Sequence, residues 1–301
     1  ASIKQTNDMK TNIYQIVTDK IVEQLQKGII PWQKPWSNFG ISDEDGAINY
    51  VTRKPYSLLN QMLLGKSGEW LTYKQISALG GKLKKGAKAG IVVFYTTLTT
   101  KPTEQSEESE EAEDIKAIPY LRYYNVFHID DCEGIETKIK ADEVPTGKAK
   151  PIEEAERTII DYISKEDGLT LHNDKPSDRA YYSPANDEIV VPMLKQYYVA
   201  EEYYSTTFHE MIHSTMTESR CNRRSNMKFA AFGSEDYSRE ELVAEIGSAM
   251  LCRKVGLDCD KAFKNSVAYI QSWLKALKND ARAIVWASSR AEKAARYIIG
   301  A

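Results

Sequence analysis

The chain has 301 residues, enough for two domains of ordinary size, and its 42% hydrophobic and 28% charged residues are typical of a globular protein. No run of about 18 apolar residues occurs, which excludes a helical membrane span, and no signal peptide is expected at the N-terminus. The four cysteines form no CxxC pair, so reduced thiols in a cytoplasmic protein are the simplest interpretation.

The net charge of −3 hides an uneven distribution of charge along the chain. Residues 1–100 contain thirteen lysines and arginines and seven acidic residues, an excess of six positive charges. Residues 104–114 then carry seven negative charges in eleven positions. The basic region indicates a polyanion as partner. The acidic stretch, at about 101–116, predicts a mobile loop, because its composition cannot compensate for the entropy lost on ordering.

The first part of the chain mixes helical periodicity with β-rich segments. Helices are predicted over 10–27, 58–64 and 70–78, and strands over 91–97 and 120–129. Gly28 is expected to end the first helix, and Thr72 is the candidate N-cap of the third. These elements predict a small α+β domain over residues 1–135.

A polar segment with a proline and a glycine, residues 136–150, predicts a linker to a second domain over 151–301. Helices are expected there over 152–165, 239–254, 261–279 and 281–298, with short strands near 180–182 and 188–191. The second domain is therefore expected to be mainly helical with a short edge sheet. The edge strand could pair with an extended substrate, although a purely structural hairpin explains the pattern as well.

The segment His209-Glu210-Met211-Ile212-His213 lies on a helix that is expected to start after Ser205. It places two histidines one helical turn apart, so that both imidazoles can reach one metal ion. Glu210 lies beside that face, where a carboxylate can take a proton from a water activated by the metal. The alternative is two surface histidines with the glutamate in an ordinary exposed pair. Because two of only four histidines fall in this pattern, we favour a peptidase-type zinc site.

A catalytic zinc ion usually has three protein ligands, and no histidine follows His213 in the chain. Glu241 and Glu245 share one face of the predicted helix 239–254, where two acids repel each other unless a cation lies beside them. We expect Glu241 to be the third ligand and Glu245 to orient one histidine through its free ring nitrogen. The reverse assignment stays open, as does a solvated acidic helix face.

Aromatic and basic side chains are interleaved in the first domain. Stacking aromatics beside a positive track can hold a single nucleic-acid strand without reading its bases. The candidate DNA-binding residues are Trp32, Lys34, Trp36, Lys74, Lys82, Lys84, Lys85 and Lys88. Tryptophans in a core and lysines in solvated turns are the competing interpretation.

Many of these segments resemble ArdC-type antirestriction proteins, in the same order and over nearly the whole chain. The segments that carry the resemblance lie at 14–36, 70–86, 124–127, 187–192, 209–213, 223, 232–234, 237–247 and 269–274. The resemblance implies a domain that binds single-stranded DNA, followed by a zincin-like, gluzincin-type metallopeptidase domain with Zn²⁺. It also implies a protein carried on mobile elements that protects incoming DNA from restriction.

Three functional hypotheses follow from the motif and the resemblance. The first is a DNA-linked zinc metallopeptidase that cuts a protein associated with DNA or with restriction. The second is a protective protein that binds single-stranded DNA and whose metal site is structural or vestigial. The third is an interaction module with neither activity. No membrane partner is expected in any of the three.

Overall fold

The computed structural model describes residues 2–27, 29–32, 46–99, 117–139, 151–223, 235–258, 273–275 and 277–301. The predicted acidic loop, most of the predicted linker and most of the predicted helix over 261–279 lie outside these ranges. None of the helices in the described ranges combines the length and the apolar character that crossing a membrane requires.

Seven helices and nine strands have both ends within the described residues, and residues 273–275 and 277–279 are helical as well. The helices are α1 (Ser2–Gln26), α2 (Leu58–Leu64), α3 (Tyr73–Ala78), α4 (Pro151–Lys165), α5 (Ala200–Ser214), α6 (Glu235–Lys254) and α7 (Ala283–Ile299). The strands are β1 (Ala47–Asn49), β2 (Gly68–Thr72), β3 (Lys82–Leu83), β4 (Gly90–Thr99), β5 (Ala117–His128), β6 (Cys132–Glu133), β7 (Thr170–His172), β8 (Tyr181–Ser183) and β9 (Glu188–Val190). The α+β fold class is thereby confirmed.

The first domain is built on a four-stranded sheet in the order β1-β2-β5-β4. Strands β4 and β5 form a long antiparallel ladder, from the pair Gly90 and Val126 outward, as their β-branched and aromatic residues favour. Thr72 ends β2 and caps α3, accepting a hydrogen bond from the backbone N–H of Gln75 in a capping box. The predicted N-cap is confirmed, although the helix begins at Tyr73 and not at residue 70.

Three helices begin earlier in the chain than predicted, and one of them is α6, which begins at Glu235 and not at residue 239. Helix α1 begins at Ser2, well before residue 10, and α5 begins at Ala200, before the expected start after Ser205. For α5 the reason is electrostatic as well as steric: Glu201 and Glu202 lie in its first turn, where acidic side chains favour the helix terminus, and no glycine or proline interrupts the segment.

The second domain packs α5 against a small sheet on one side and against α6 and α7 on the other. The sheet has the order β7-β9-β8, with β9 antiparallel to β8 and parallel to β7. Phe208, Met211 and Ile212 of α5 are fully buried, as their helical spacing predicts. A Cβ atom at Gly247 of α6 would lie 2.7 Å from Ile212 Cδ1, so glycine lets the two helices approach closely.

The two halves of the chain share a hydrophobic core. Residues of α1, α2 and the β4–β5 ladder belong to the same buried cluster as α5, α6 and α7. Polar contacts join them as well: Thr18 Oγ1 donates to the carbonyl oxygen of Ala281 at 2.8 Å, and Glu292 Oε2 accepts from the Leu58 N–H at 3.0 Å. Helix α7 is therefore packed against both halves of the chain.

Candidate metal centre

His209 and His213 lie one turn apart on the face of α5 that is turned toward α6. Their Nε2 atoms are 3.1 Å apart, and their rings meet edge to face, with an interplanar angle of 76°. This separation suits two imidazoles that bind one ion at the usual length of about 2.0–2.1 Å. The spacing in the sequence thus produces two nitrogen atoms directed at one point.

Glu241 of α6 faces this pair of nitrogen atoms across the helix contact. Its Oε2 atom is 3.5 Å from His209 Nε2, and its Oε1 atom is 3.5 Å from His213 Nε2. Ligand atoms of the three side chains all lie within 4.8 Å of one another. Two imidazoles and one carboxylate form a donor set suited to a catalytic zinc site, which leaves one position open.

The outer nitrogen atoms of the two histidines face two further carboxylates. His209 Nδ1 lies 3.8 Å from Glu245 Oε1, and His213 Nδ1 lies 3.6 Å from Glu240 Oε1. Both distances are within ion-pair range but longer than a direct hydrogen bond. Carboxylates in this position fix the ring orientation and the tautomer of a metal-binding histidine. Glu245 was predicted for this role from the sequence, whereas Glu240 was not.

Glu240 is held in place by Arg223. The Arg223 guanidinium donates to Glu240 through Nη2 at 2.6 Å and through Nε at 3.1 Å. It also donates to Thr215 Oγ1 and to the carbonyl oxygen of Ile212, at the end of α5. Both partners of the ion pair are nearly fully buried. The pair therefore ties the carboxyl end of α5 to α6 beside His213.

The electrostatics of the cluster favour a cation. Burial alone would lower the pKa of His213, but the carboxylates of Glu240 and Glu241 outweigh it and raise the pKa to about 10. Burial also acts against ionised Glu241, yet the two histidines hold its pKa well below the ordinary value. Burial and the neighbouring Glu241 charge raise the pKa of Glu245. The donor set thus fits a metal ion, whose charge would replace these imidazole protons.

Glu210 is buried beside the two histidines, and its charge contributes to raising the pKa of both. The same charge acts on Tyr197, a half-buried residue just before α5, whose pKa is raised first of all by burial. The sequence predicted a strand near 180–182 but gave no signal for Tyr197. Within that range, Tyr182 already donates its hydroxyl hydrogen to Asp187 at 2.7 Å.

The predicted edge strand is β8, which packs on α5 at the margin of the three-stranded sheet. Its turn is anchored by Arg220, a buried residue after α5 that donates through Nη1 and Nη2 to both carboxylate oxygens of Asp187. Arg220 also donates to Glu166 at 2.8 Å and to the carbonyl oxygen of Ser214. The edge strand and the histidine helix are therefore held in a fixed relation.

The candidate DNA-binding residues fall into three groups. Trp32 is 4% exposed and packs edge to face against Trp273, with ring centroids 5.0 Å apart, so its ring packs in the core and does not face solvent. Lys34 and Trp36 lie outside the described residues. The exposed candidates are Lys74, Lys82, Lys84, Lys85 and Lys88. Of these, Lys84 donates its ammonium hydrogen to the carbonyl oxygen of Asp130 at 2.7 Å.

An exposed aromatic pair lies on the β4–β5 ladder and was not among the DNA-binding residues predicted from the sequence. Phe94 and Tyr124 share one face of the sheet, are each nearly half exposed, and contact each other edge to face at 5.8 Å. The basic turn that contains Lys85 and Lys88 leads directly into β4. Exposed ammonium groups and exposed aromatic rings therefore occur on consecutive segments of the first domain, and the ring of Trp32 is not among the exposed ones.

The fold and the cluster define a class of protein, a small α+β domain joined to a zincin-like domain. Two family models match the chain: the N-terminal domain of the anti-restriction factor ArdC over residues 11–127, and a zincin-like metallopeptidase over residues 159–290. The antirestriction protein ArdC of plasmid R388 is 32% identical, with a TM-score of 0.68 over 95% of this chain and 96% of that one. The chain belongs to the ArdC antirestriction family.

Further relatives are found among longer proteins and proteins of similar length. A DNA primase TraC of Escherichia coli is 30% identical over 306 residues, which is 97% of this chain but 27% of the primase. The chain thus spans about a quarter of that relative. The protein y4eC of Sinorhizobium fredii is 29% identical over 98% of this chain and 94% of its own length. The R388 protein is also known in a Mn(II)-bound crystal structure, with the same identity and TM-score.

Proposed function

We propose that this chain is a DNA-associated antirestriction protein with a metallopeptidase-type site at His209, His213 and Glu241. The convergence of the three donor atoms between α5 and α6 carries the proposal. Two imidazoles and a carboxylate favour Zn²⁺. The Mn(II)-bound form of the R388 protein supports a divalent metal ion in the family and adds manganese to the ions that must be tested.

A divalent ion bound there would act as a Lewis acid and lower the pKa of a coordinated water. Glu210 is the residue placed to accept the proton, because its carboxylate lies beside both histidines in a mostly buried position. Glu240 and Glu245 face the outer Nδ1 atoms of the two imidazoles and orient the rings. The edge strand β8 is the surface on which an extended peptide substrate would lie.

The test separates metal binding from proton transfer. The metal content of the wild type and of Glu210→Gln is measured. Their hydrolysis of two substrates is measured as well: casein, and proteins from a cell extract that bind single-stranded DNA. The wild type should hold one ion, and the variant should retain the ion and lose hydrolysis. Glu218→Gln, an exposed glutamate just after the same helix, is the matched control. Identical behaviour of Glu210→Gln and the wild type in every assay would refute the catalytic role.

The family and the TraC relatives favour DNA as the partner of the first domain. We infer that a single strand binds along the exposed lysines of the β3–β4 turn and the neighbouring Phe94–Tyr124 pair. The support is chemical: aromatic faces stack on bases of any sequence, and ammonium groups beside them neutralise phosphates. Trp32 has no part in this surface because it is buried.

Fluorescence anisotropy with a labelled oligothymidylate at several salt concentrations tests this surface. Lys85→Ala/Lys88→Ala should weaken binding and reduce the salt slope by about 1.4, since each phosphate contact of a single strand contributes about 0.7. Lys175→Ala/Lys195→Ala removes two exposed lysines of the second domain and is the matched control. A salt slope equal to that of the wild type in the first variant would exclude this surface. Binding without hydrolysis would favour the alternative, a protective protein with a structural metal site.

A further inference from the structure

A groove with a volume of 240 Å³ lies where the first domain meets helix α7. It belongs neither to the metal centre nor to the lysine turn. The side chains that shape it come from α1, β4, the segment before α7 and α7 itself, namely Tyr14, Tyr95, Arg282, Trp286 and Arg290. Three aromatic residues and two arginines therefore line one concave surface.

The two arginines are each held against an aromatic ring. The guanidinium carbon of Arg290 lies 3.9 Å from the centroid of the Trp286 ring, and that of Arg282 lies 5.4 Å from the centroid of the Tyr14 ring. The hydroxyl groups of Tyr14 and Tyr95 are 3.2 Å apart. A ring face restricts a guanidinium without using its N–H groups. Arg290 also donates through Nη1 to the carbonyl oxygen of Trp286 at 3.5 Å, and its other N–H groups can form a planar, bidentate contact with an anion.

Neither guanidinium is neutralised by a carboxylate among the residues that the structure describes. Arg290 is half-buried, and its pKa is lowered first by burial and then by the charge of Arg223. The charges of Arg282 and Arg290 both act on the Tyr95 hydroxyl, so the two cations converge on the same part of the groove. The charge of Glu240 raises the pKa of Arg290 less than burial and Arg223 lower it, so a bound anion would supply the direct ion-pair partner that the described residues do not.

We propose that this groove binds the phosphodiester backbone of a single nucleic-acid strand, with phosphates on Arg282 and Arg290 and a base against the exposed Tyr95 ring. The proposal rests on the proposed DNA binding and adds a second contact to it, at the junction of the two halves. A concave groove of this size suits one or two nucleotides of a flexible strand, whereas a duplex presents its phosphates on a convex surface. Arginines beside tyrosine and tryptophan rings match the chemistry by which single strands are bound.

Helix α7, which carries Arg290 of the groove, packs against α6, which carries Glu241 of the metal centre. Arg290 responds to the charges of Arg223 and Glu240, the ion pair that stands behind His213. Arg223 in turn donates to the carbonyl oxygen of Ile212 in the histidine helix. A strand that occupies the groove would therefore lie close to the place where the metallopeptidase-type site is proposed. A protein bound to that strand would be carried toward the site.

The test compares two double variants of the full chain that each remove two positive charges, from α7 or from the residue just before it. Arg282→Gln/Arg290→Gln removes both groove cations, and Lys293→Gln/Arg296→Gln removes two exposed cations of α7 outside the groove. With labelled oligothymidylate, the groove variant should bind at least about tenfold more weakly, since hydrogen bonds to charged groups contribute about 1.5–3 kcal/mol each. Its salt slope should fall by about 1.4, and the control should match the wild type.

A second variant keeps the test valid if the groove variant unfolds. In the wild type, oligothymidylate should quench tryptophan fluorescence, and Trp286→Phe should remove most of that change while keeping an aromatic ring. Equal affinity and equal quenching in all variants, with a wild type that binds, would overturn the groove and leave the lysine surface intact. Equal competition by duplex DNA or by heparin would overturn a single strand as the occupant. A wild type that binds no oligothymidylate would refute the DNA proposal as a whole.

Discussion

The buried pair Arg223–Glu240 offers the sharpest test of how the metal centre is supported. The side chains are 3% and 5% exposed and are joined through Nη2 and Nε of the arginine. Removing one partner of such a pair leaves an uncompensated charge in the interior, which costs about 3–5 kcal/mol. We therefore expect Arg223→Met and Glu240→Leu each to lower the free energy of unfolding by about this amount.

The two single variants should lower the free energy of unfolding by different amounts. Without Glu240, the acceptors that Arg223 keeps among the described residues are neutral, namely Thr215 Oγ1 and the Ile212 carbonyl oxygen. Without Arg223, Glu240 still faces the imidazole of His213, which can carry a proton, and Thr215 still donates to the Ile212 carbonyl. Glu240→Leu should therefore lie near the upper end of the range and Arg223→Met near the lower end. Because the double variant leaves neither charge unpaired, it should cost no more than about 4 kcal/mol.

The assay is urea unfolding in the presence of a chelator, so that metal binding does not contribute to the measured stability. Circular dichroism and tryptophan fluorescence must give coincident transitions before free energies are compared. Arg296→Met, which breaks an exposed pair with Glu292, is the control and should cost less than about 1 kcal/mol. If the costs of the two single variants simply add in the double variant, the pair does not act as a unit and the reasoning is refuted.

Three further predictions concern the framework of the site. Asp187→Asn keeps a residue type that tolerates the left-handed backbone but removes the charge that Arg220 and Tyr182 stabilise. Because Arg220 lowers the pKa of Asp187, the ionised carboxylate stabilises the fold above about pH 4 and loses this effect as the pH falls further. The urea midpoints of wild type and variant should therefore converge in acid and differ near pH 6. Gly247→Ala should lower stability by about 1–3 kcal/mol and weaken metal binding in a metal-buffer titration, because its Cβ would press on Ile212; unchanged metal affinity would show that the spacing of α5 and α6 is not critical. Trp32→Ala should lower the free energy of unfolding by about 3–5 kcal/mol and leave the oligothymidylate affinity of the folded fraction unchanged. A loss of binding without a loss of stability would show that Trp32 contacts DNA.

The histidine pair was predictable because a single helix determines its geometry. Two side chains at i and i+4 lie on one face whatever surrounds the helix, and the same argument places Glu241 and Glu245 together. Glu240 is the opposite case. It precedes Glu241 and points to another side of α6, so its approach to His213 depends on how α6 crosses α5 and on Arg223, from a different segment. A sequence pattern carries no information on such a crossing.

The short strands and the aromatic residues show the same limit. Strands β1, β3 and β6 have two or three residues, too few for any periodicity. Strand β1 forms because the longer β2 offers it backbone partners, whereas β3 and β6 pair with each other where the fold brings two distant segments together. Trp32 and Phe94 both occur among lysines in the sequence, yet one is in the core and the other is exposed. Which aromatic ring is available to a ligand depends on tertiary packing, because aromatic side chains serve both purposes.

The groove and the metal centre are joined by a short series of charges, and the sign of their interaction can be argued. Arg223 and Arg290 repel each other, as the lowered pKa of Arg290 reflects after the effect of burial. An anion on Arg290 would relieve this repulsion, and Arg223 would then hold Glu240, and through it His213, at a lower electrostatic cost. Strand binding in the groove should therefore strengthen binding of a cation at the centre. Reciprocity requires that the cation strengthen strand binding by the same factor, because both effects express one coupling free energy.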